Sequence, residues 1–514
     1  MPHTAAAGVV NAWSRPKSSV AAAALLLLVL ALLLRCLFLG RESLWLDEAA
    51  SWWFSSDSAR AWHAEPTNPP LYYVLLHFWT RLFGASETGL RSLSIVPSLL
   101  SVWLVFRLAR ALLSPAIAWG ASFYQAISTF QIYYAQEARC YSLLTFVILL
   151  STLLLWKAME NQPQAGRLRY YFAYGVCVAL ALYVHFIAVF FFVAHGCFVL
   201  FRRRRELFAY IASTLCGVLL FAPWLLVLLK AAGGGGQAGR RYLLLKLPQA
   251  YFSFMFGDTL IPLNENAVTH LRETLTSHAV ILFTAVSVSV VLFAFAWLAS
   301  RRWGDAMLFV VMNATVPVFV AFVISFKIML FDERYLIATS PFVYIIVSAA
   351  AVEIFSWRPK GAWVSRMGEA AVAGYFCLLL VSLHHYYFDR SFGKEQWRDA
   401  VAYVDRASSP GDLLIFDPDF LRAPYAYYQK RDLPYLAATR AILREITASP
   451  EALRNRAALH ARLWLVTAHY QQEQLAKLIQ SYFREESRVS FPNGHGIDIS
   501  SFRTDSPPSD QHQP

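Results

Sequence analysis

The run Val20 to Leu39 leads directly into Leu44-Trp45-Leu46-Asp47-Glu48-Ala49-Ala50-Ser51. The run contains a single charged residue, Arg35, and is long enough to cross a hydrocarbon core of about 30 Å. It reads as a membrane helix, with two adjacent carboxylates just beyond its end. Neighbours on a helix point about 100° apart, so Asp47 and Glu48 need not face the same site. A carboxylate at the edge of a membrane-facing cavity can serve as a general base. The same pair also reads as a charged cap solvated at the interface.

The rest of the chain repeats the first signal. Of 514 residues, 57% are hydrophobic and 15% are charged, against about a quarter charged in soluble domains. This excludes a soluble globular protein and implies a polytopic one. A net charge of +12 would suggest nucleic acid in a soluble chain. Here the basic excess lies in short connections between apolar runs, as membrane orientation requires, so no nucleic-acid partner is implied. The six cysteines lie in or near apolar runs without CxxC spacing, and read as small buried residues with no disulfide framework and no zinc site. Arg15 and Lys17 precede the first run without a cleavage site after it, which predicts a retained anchor.

Eleven spans are expected, roughly 18–39, 89–111, 115–130, 137–158, 170–185, 186–201, 207–230, 277–299, 306–326, 335–356 and 367–387. Lys/Arg clusters then alternate correctly. Arg15/Lys17, Arg107/Arg110, Lys157/Arg167/Arg169, Arg202 to Arg205, Arg301/Arg302 and Arg358/Lys360/Arg366 all fall on one side, the cytoplasmic one. The N-terminus is expected inside and the C-terminus outside. Pro69 to Trp79 is short and aromatic and predicts an interfacial helix, and Tyr251 to Phe256 a second interfacial element. Gly233 to Gly236 reads as a hinge, without the Lys-Ser/Thr pair of a phosphate-cradling loop.

After Tyr387 the composition becomes that of a soluble domain. Gln396 to Ala407 and Leu421 to Gln429 have helical character; Leu413 to Phe416 and Arg462 to Thr467 read as strands, with Pro410-Gly411-Asp412 as a turn. The expectation is a mainly α, polytopic membrane domain over 1–388, a small extracytoplasmic α/β domain over 389–503 and a disordered tail over 504–514.

Further candidates cluster at the outer ends of the spans. Glu137 and Tyr141 are four apart and share a helix face, and Arg139 between them offers a fork of donors suited to phosphate. Lys327, Asp332, Glu333, Arg334 and Tyr335 form a charged outer loop, where two cations can hold a lipid-linked phosphate or simply snorkel. Arg35, inside a span, is a functional candidate by cost alone, or snorkels outward. His185 lies between two spans and could contact substrate or metal. His63, Glu65 and Asn68 are similar cases. Asp417 and Asp419 read as turn residues.

Taken in order, these stretches resemble the GT-C class of lipid-linked-sugar glycosyltransferases, in particular glycosyltransferase family 39, with its protein O-mannosyltransferases and aminoarabinose transferases. The resemblance rests on Leu44 to Glu48, Asn68-Pro69-Pro70-Leu71-Tyr72-Tyr73, Leu82 to Glu87 with Arg91, Glu137 to Leu143, Tyr183-Val184-His185 and Glu333-Arg334-Tyr335-Leu336, and covers about 20–350. It implies a GT-C fold, Asp47 as catalytic carboxylate with Glu48 as second acid, and a sugar donor on a polyprenyl phosphate. It implies Arg35, Arg139, Lys327 and Arg334 as phosphate contacts, and Asn68, Tyr72, Glu137, Tyr141, His185, Glu333 and Tyr335 along the substrate. The acceptor would be a lipid, glycan or protein, and the location a bacterial inner membrane. No cofactor is implied, and no convincing metal ligand set is visible in the sequence. Aminoarabinose transferases carry a basic residue before the Pro-Pro pair, where this chain has Asn68. A lipid flippase or transporter, or a non-catalytic membrane scaffold, would share the spans. A transporter should show internal repeats, and none is visible.

Overall fold

The computed structural model describes residues 17–62, 68–160, 163–231, 243–262, 271–328, 330–356, 362–439, 442, 444–446, 449–469 and 473–505. The glycine hinge 233–236, His63, Glu65 and residues 506–514 lie outside them. The chain divides into two compact units. One comprises Met1–Leu37, Trp62–Tyr72 and Arg91–His385; the other comprises Phe38–Ala61, Tyr73–Leu90 and Tyr386–Pro514.

The first unit is helical. Among the described residues six helices are long and apolar enough to cross a membrane: Glu87–Leu112, Tyr141–Met159, Arg204–Val227, Ala279–Ser325, Ile337–Ser356 and Ser365–Phe388. Val20–Cys36 and Ala188–Arg202 are shorter apolar helices. Their outward faces carry large apolar side chains, such as Phe172, Phe208, Val280 and Phe283, each more than 70% exposed. Apolar surface on that scale needs lipid, and the protein is a multi-pass membrane protein. All six cysteines are free. Cys36, Cys216 and Cys377 are exposed on these helices and Cys197 is half-buried, so the expectation that all six are buried holds only for Cys140 and Cys177.

The expected spans 277–299 and 306–326 are two arms of one 47-residue element, Ala279–Ser325, broken at Gly304 with φ 49° and ψ −123°. At 1.5 Å per residue a straight helix of that length would run about 70 Å, far more than one crossing needs. The break lies beside Arg301, Arg302 and Asp305. Arg203 pairs with Asp305 at 2.9 Å, Arg167 with Glu206 at 3.4 Å, and the Tyr171 hydroxyl donates to Glu206 at 2.9 Å. Three connections expected on one side of the membrane therefore meet at one end of the unit.

Buried side chains replace lost backbone bonds where the first helix and Pro115–Ile127 end. Gln136 Nε2 donates to the carbonyls of Leu34, Arg35 and Leu37 at 3.3, 2.9 and 2.9 Å, capping the first helix. Ser128 ends Pro115–Ile127 and starts Thr129–Ala135. Around this break Gln125 bonds Gln131, Gln131 bonds Ser340, and Ser128 meets the Tyr344 hydroxyl at 2.7 Å.

In the second unit a five-stranded sheet is ordered β2-β1-β3-β5-β4. Its strands are β1 Leu413–Asp417, β2 Tyr435–Ala437, β3 Arg462–Ala468, β4 Arg484–Phe491 and β5 Ile497–Arg503. β2, β1 and β3 run parallel; β5 and β4 complete the sheet antiparallel. Both faces of β1 and β3 are covered, which explains their unbroken apolar sequence. Leu414, Phe416, Trp464 and Val466 pack with Trp397 and Val401 on one face. Leu413, Ile415, Leu463 and Leu465 pack with Leu475 and Ile479 on the other. Asp417 is the buried last residue of β1 and not an exposed turn residue. The helix Leu46–Ser55, which carries the paired carboxylates, belongs to this unit. Leu46 packs against the Trp397 core, and Trp52 meets the Tyr427 ring edge-on at 5.1 Å.

Candidate active site

At one end of the membrane unit, connections distant in sequence come together. Glu137, fully buried, and Arg139 lie in the turn between Thr129–Ala135 and Tyr141–Met159. Tyr141 starts the second of these helices. Its ring lies 5.1 Å from Tyr134 and 6.4 Å from Tyr335, and Tyr335 lies 5.0 Å from the His185 imidazole. Arg139 lies over the Tyr141 ring at 5.9 Å and Arg334 over Tyr335 at 5.3 Å. Both arginines act electrostatically on His185, which ends the helix Gln164–Val184. Tyr72 is tied in through Ser94. Its hydroxyl lies 2.9 Å from Ser94 Oγ, which donates to the Arg139 carbonyl at 3.1 Å. Seven expected residues, Tyr72, Glu137, Arg139, Tyr141, His185, Arg334 and Tyr335, are thus linked by contact or charge.

Glu333 belongs to the same cluster and brings with it residues the sequence reading missed. Burial, with Asp332 and Asp258 adding to it and Lys246 opposing, pushes its carboxyl up to about 8. Asp258 is itself pushed up to about 6, by burial and by Asp332. Asp258 follows Gly257, whose φ of 84° turns the chain back after the aromatic helix Leu243–Phe256. That glycine-aspartate pair at the end of an aromatic helix was the available signal. Arg334 Nε donates to Asp332 at 3.0 Å. Lys327 is exposed just past the end of the long broken helix, and Asn68 is half-buried ahead of Leu71–Phe83, the expected interfacial helix.

Arg35 stands apart from this group. It is fully buried. Its guanidinium donates to Ser98 Oγ at 2.7 Å and to the carbonyls of Ala31, Ala126 and Gln125 at 3.1, 2.9 and 3.1 Å. Four protein acceptors make it a clamp between helices, which is neither snorkelling nor the geometry of a phosphate ligand.

In the second unit Asp47 and Glu48 occupy the first turn of Leu46–Ser55, where negative charge complements the helix dipole. They diverge as the helical angle requires. Glu48 is fully buried and pairs with Lys394 at 3.2 Å. Asp47 is half-buried, and its backbone carbonyl accepts from Ser51 Oγ at 3.0 Å.

Residues 67–227, which include Tyr72, the Glu137–Tyr141 turn and His185, match the family described as dolichyl-phosphate-mannose-protein mannosyltransferase. Over most of its length the chain is similar to ArnT from Cupriavidus metallidurans in the apo state. The TM-score is 0.60 at 12% identity, covering 93% of this chain and 97% of that chain. The chain has the GT-C fold of these membrane proteins. ArnT bound to undecaprenyl phosphate gives a TM-score of 0.56 at 12% identity, over 95% of this chain and 98% of that chain. The oligosaccharyltransferase of Archaeoglobus fulgidus, tethered to an acceptor peptide, gives 0.55 at 13% identity, over 92% and 74%. No curated protein matches in sequence. At these identities the structural likeness speaks for the fold.

Proposed function

We propose that the protein transfers a sugar from a polyprenyl-phosphate donor to a hydroxyl or similar acceptor on the extracytoplasmic side of a bacterial plasma membrane. The N-terminus is cytoplasmic and residues 389–503 lie outside. The observation that carries this reading is the convergence of Arg139 and Arg334 with Glu137, His185, Glu333 and two tyrosines at one end of a GT-C unit. Charged groups are costly at the membrane and repay that cost by holding a charged substrate. The donor's lipid tail stays in the bilayer and its phosphate is held by Arg139 and Arg334, with Lys327 at the margin. Asp47 accepts the proton of the attacking hydroxyl. The sugar passes through an oxocarbenium-like transition state, as in glycoside hydrolysis. The leaving phosphate is a stable anion and needs charge stabilisation more than protonation. A single displacement inverts the anomeric centre.

The test is transfer of radiolabelled sugar from synthetic polyprenyl-phosphate donors by purified protein, with membrane extract as acceptor pool. Asp47→Asn is expected to lower transfer at least about 100-fold while leaving the fold intact. Equal transfer by both proteins removes Asp47 from the mechanism. Lipid translocation without transfer would make the protein a flippase.

A further inference from the structure

The turn between β4 and β5 and the end of β3 meet the segment 393–397 around one carboxylate. Glu395 is 1% exposed. Its Oε2 accepts from Trp397 Nε1 at 2.6 Å and from the backbone N–H of Leu46 at 3.3 Å. Its backbone carbonyl accepts from Ser43 Oγ. The other oxygen, Oε1, lies 2.8 Å from His469 Nε2, yet the two atoms are not aligned as a hydrogen bond. His469 follows β3 in a left-handed conformation, φ 61°. That strained backbone turns its ring back toward the carboxylate. The His495 ring lies against His469, tilted by 35° with the centroids 4.3 Å apart. One ligand atom from each of Glu395, His469 and His495 lies within 4.8 Å of the others.

We propose that Glu395, His469 and His495 form a binding site for a divalent transition-metal ion of the zinc type. Two imidazoles and one carboxylate are a donor set that zinc takes in tetrahedral geometry, with water in the fourth position. At zinc–ligand distances near 2.1 Å, neighbouring donors stand about 3.4 Å apart. Glu395 and His469, at 2.8 Å, would part by about 0.6 Å around the ion, and rotation of the exposed His495 ring closes the set. The carboxylate is oriented from behind by Trp397 and Leu46, the second layer of support that metal ligands characteristically have. The loop is also built for close approach. A Cβ at Gly494, φ +65°, would stand 2.9 Å from Glu395 Cγ. The three ligands are 74 and 26 residues apart in sequence, with none of the short spacings that mark metal sites, which is why the sequence hides them.

The ion would tie three segments to the root of the helix Leu46–Ser55, through the N–H that Leu46 gives to Glu395. The site stands whether or not the protein transfers sugar.

The experiment uses the full chain without a polyhistidine tag, purified in detergent, stripped with chelator and dialysed against ZnCl2. A parallel titration with Co2+ reads the visible absorption of the bound ion. Wild type is expected to retain about one Zn2+ per chain and to give tetrahedral Co2+ bands. His469→Ala and the exposed-site variant His495→Ala are expected to bind Zn2+ at least about tenfold more weakly. His278→Ala, outside the site, should bind as wild type does. Absence of stoichiometric Zn2+ in wild type, or unchanged affinity in correctly folded His495→Ala and His469→Ala, overturns the proposal.

Discussion

Glu48 and Lys394 form a buried ion pair at 3.2 Å, while Asp47, one residue earlier on the same helix, remains half-buried. The adjacent acids therefore sit in different environments. Removing one member of a buried pair leaves the other charge unpaired, at a cost of roughly 3–5 kcal/mol. Glu48→Ala is expected to lower the thermal stability of the purified protein markedly, and Lys394→Ala to do the same. Glu48→Leu combined with Lys394→Met should recover most of the loss, since an apolar pair of similar volume avoids the desolvation cost. Asp47→Asn should leave thermal stability near wild type. A transition temperature that falls as far in Asp47→Asn as in Glu48→Ala would refute this division.

Arg35 and Arg334 separate in the same way. Without Arg35 the buried carbonyls of Ala126, Gln125 and Ala31 lose a donor, and each unsatisfied group costs roughly 1–3 kcal/mol. Arg35→Ala is expected to be strongly destabilising. Arg35→Lys should rescue little, because an ammonium cannot reproduce the planar fork. Arg334→Ala, by contrast, should change stability by about 0.5 kcal/mol, as partly exposed substitutions do. Its effect should appear as a raised KM for the lipid-phosphate donor. Thermal melts beside donor titrations decide it, and a donor KM raised equally in folded Arg35→Ala would return Arg35 to the substrate.

Most of the helical architecture was legible because a span needs only length and apolarity, and both are local. Arg203 against Asp305 brings together two of the connections that carry the expected basic clusters. β1 and β3 announced themselves as continuous apolar runs because both their faces are covered. β4 and β5 did not. β4 is mostly exposed, and β5 reads Ile-Asp-Ile-Ser-Ser-Phe-Arg, with polar residues where a buried strand is expected. The role of Arg35 was illegible because three of its four acceptors, Ser98 Oγ and the carbonyls of Gln125 and Ala126, lie 63, 90 and 91 residues away. Asp258 was passed over because its neighbours Asp332 and Glu333 come from another loop.

Gly304 sets the break in Ala279–Ser325. Its φ of 49° with ψ −123° suits glycine alone, and nothing lies within 4 Å of where a Cβ would stand. Gly304→Ala therefore tests backbone strain without steric collision. It is expected to cost about 1–3 kcal/mol, read as a lowered transition temperature in detergent. An unchanged transition would mean that the break relaxes freely and that the glycine is not what fixes it.

Glu333 makes stability depend on pH in a specific direction. Its carboxyl is raised from an ordinary 4.5 to about 8 by burial first, then by Asp332 and Asp258, with Lys246 pulling the other way. Between those two values the folded protein keeps a proton that the unfolded chain releases. The contribution of Glu333 to stability is therefore fully present below pH 4.5 and is lost as pH rises toward 8. Asp258, raised from 3.8 to about 6, adds a decline at the lower end of that window. Transition temperatures from pH 5 to 9 should fall for wild type, and the fall should be smaller in Glu333→Gln, which mimics the protonated acid. The donor phosphate should report the same titration. A protonated Glu333 adds no negative charge beside Arg139 and the Asp332-paired Arg334. As pH rises through its raised range the new carboxylate opposes phosphate binding, so the donor KM of wild type should rise while that of Glu333→Gln stays level. Parallel pH profiles for the two proteins, in stability and in KM, would mean that Glu333 ionises as an ordinary glutamate and that its burial has no electrostatic consequence.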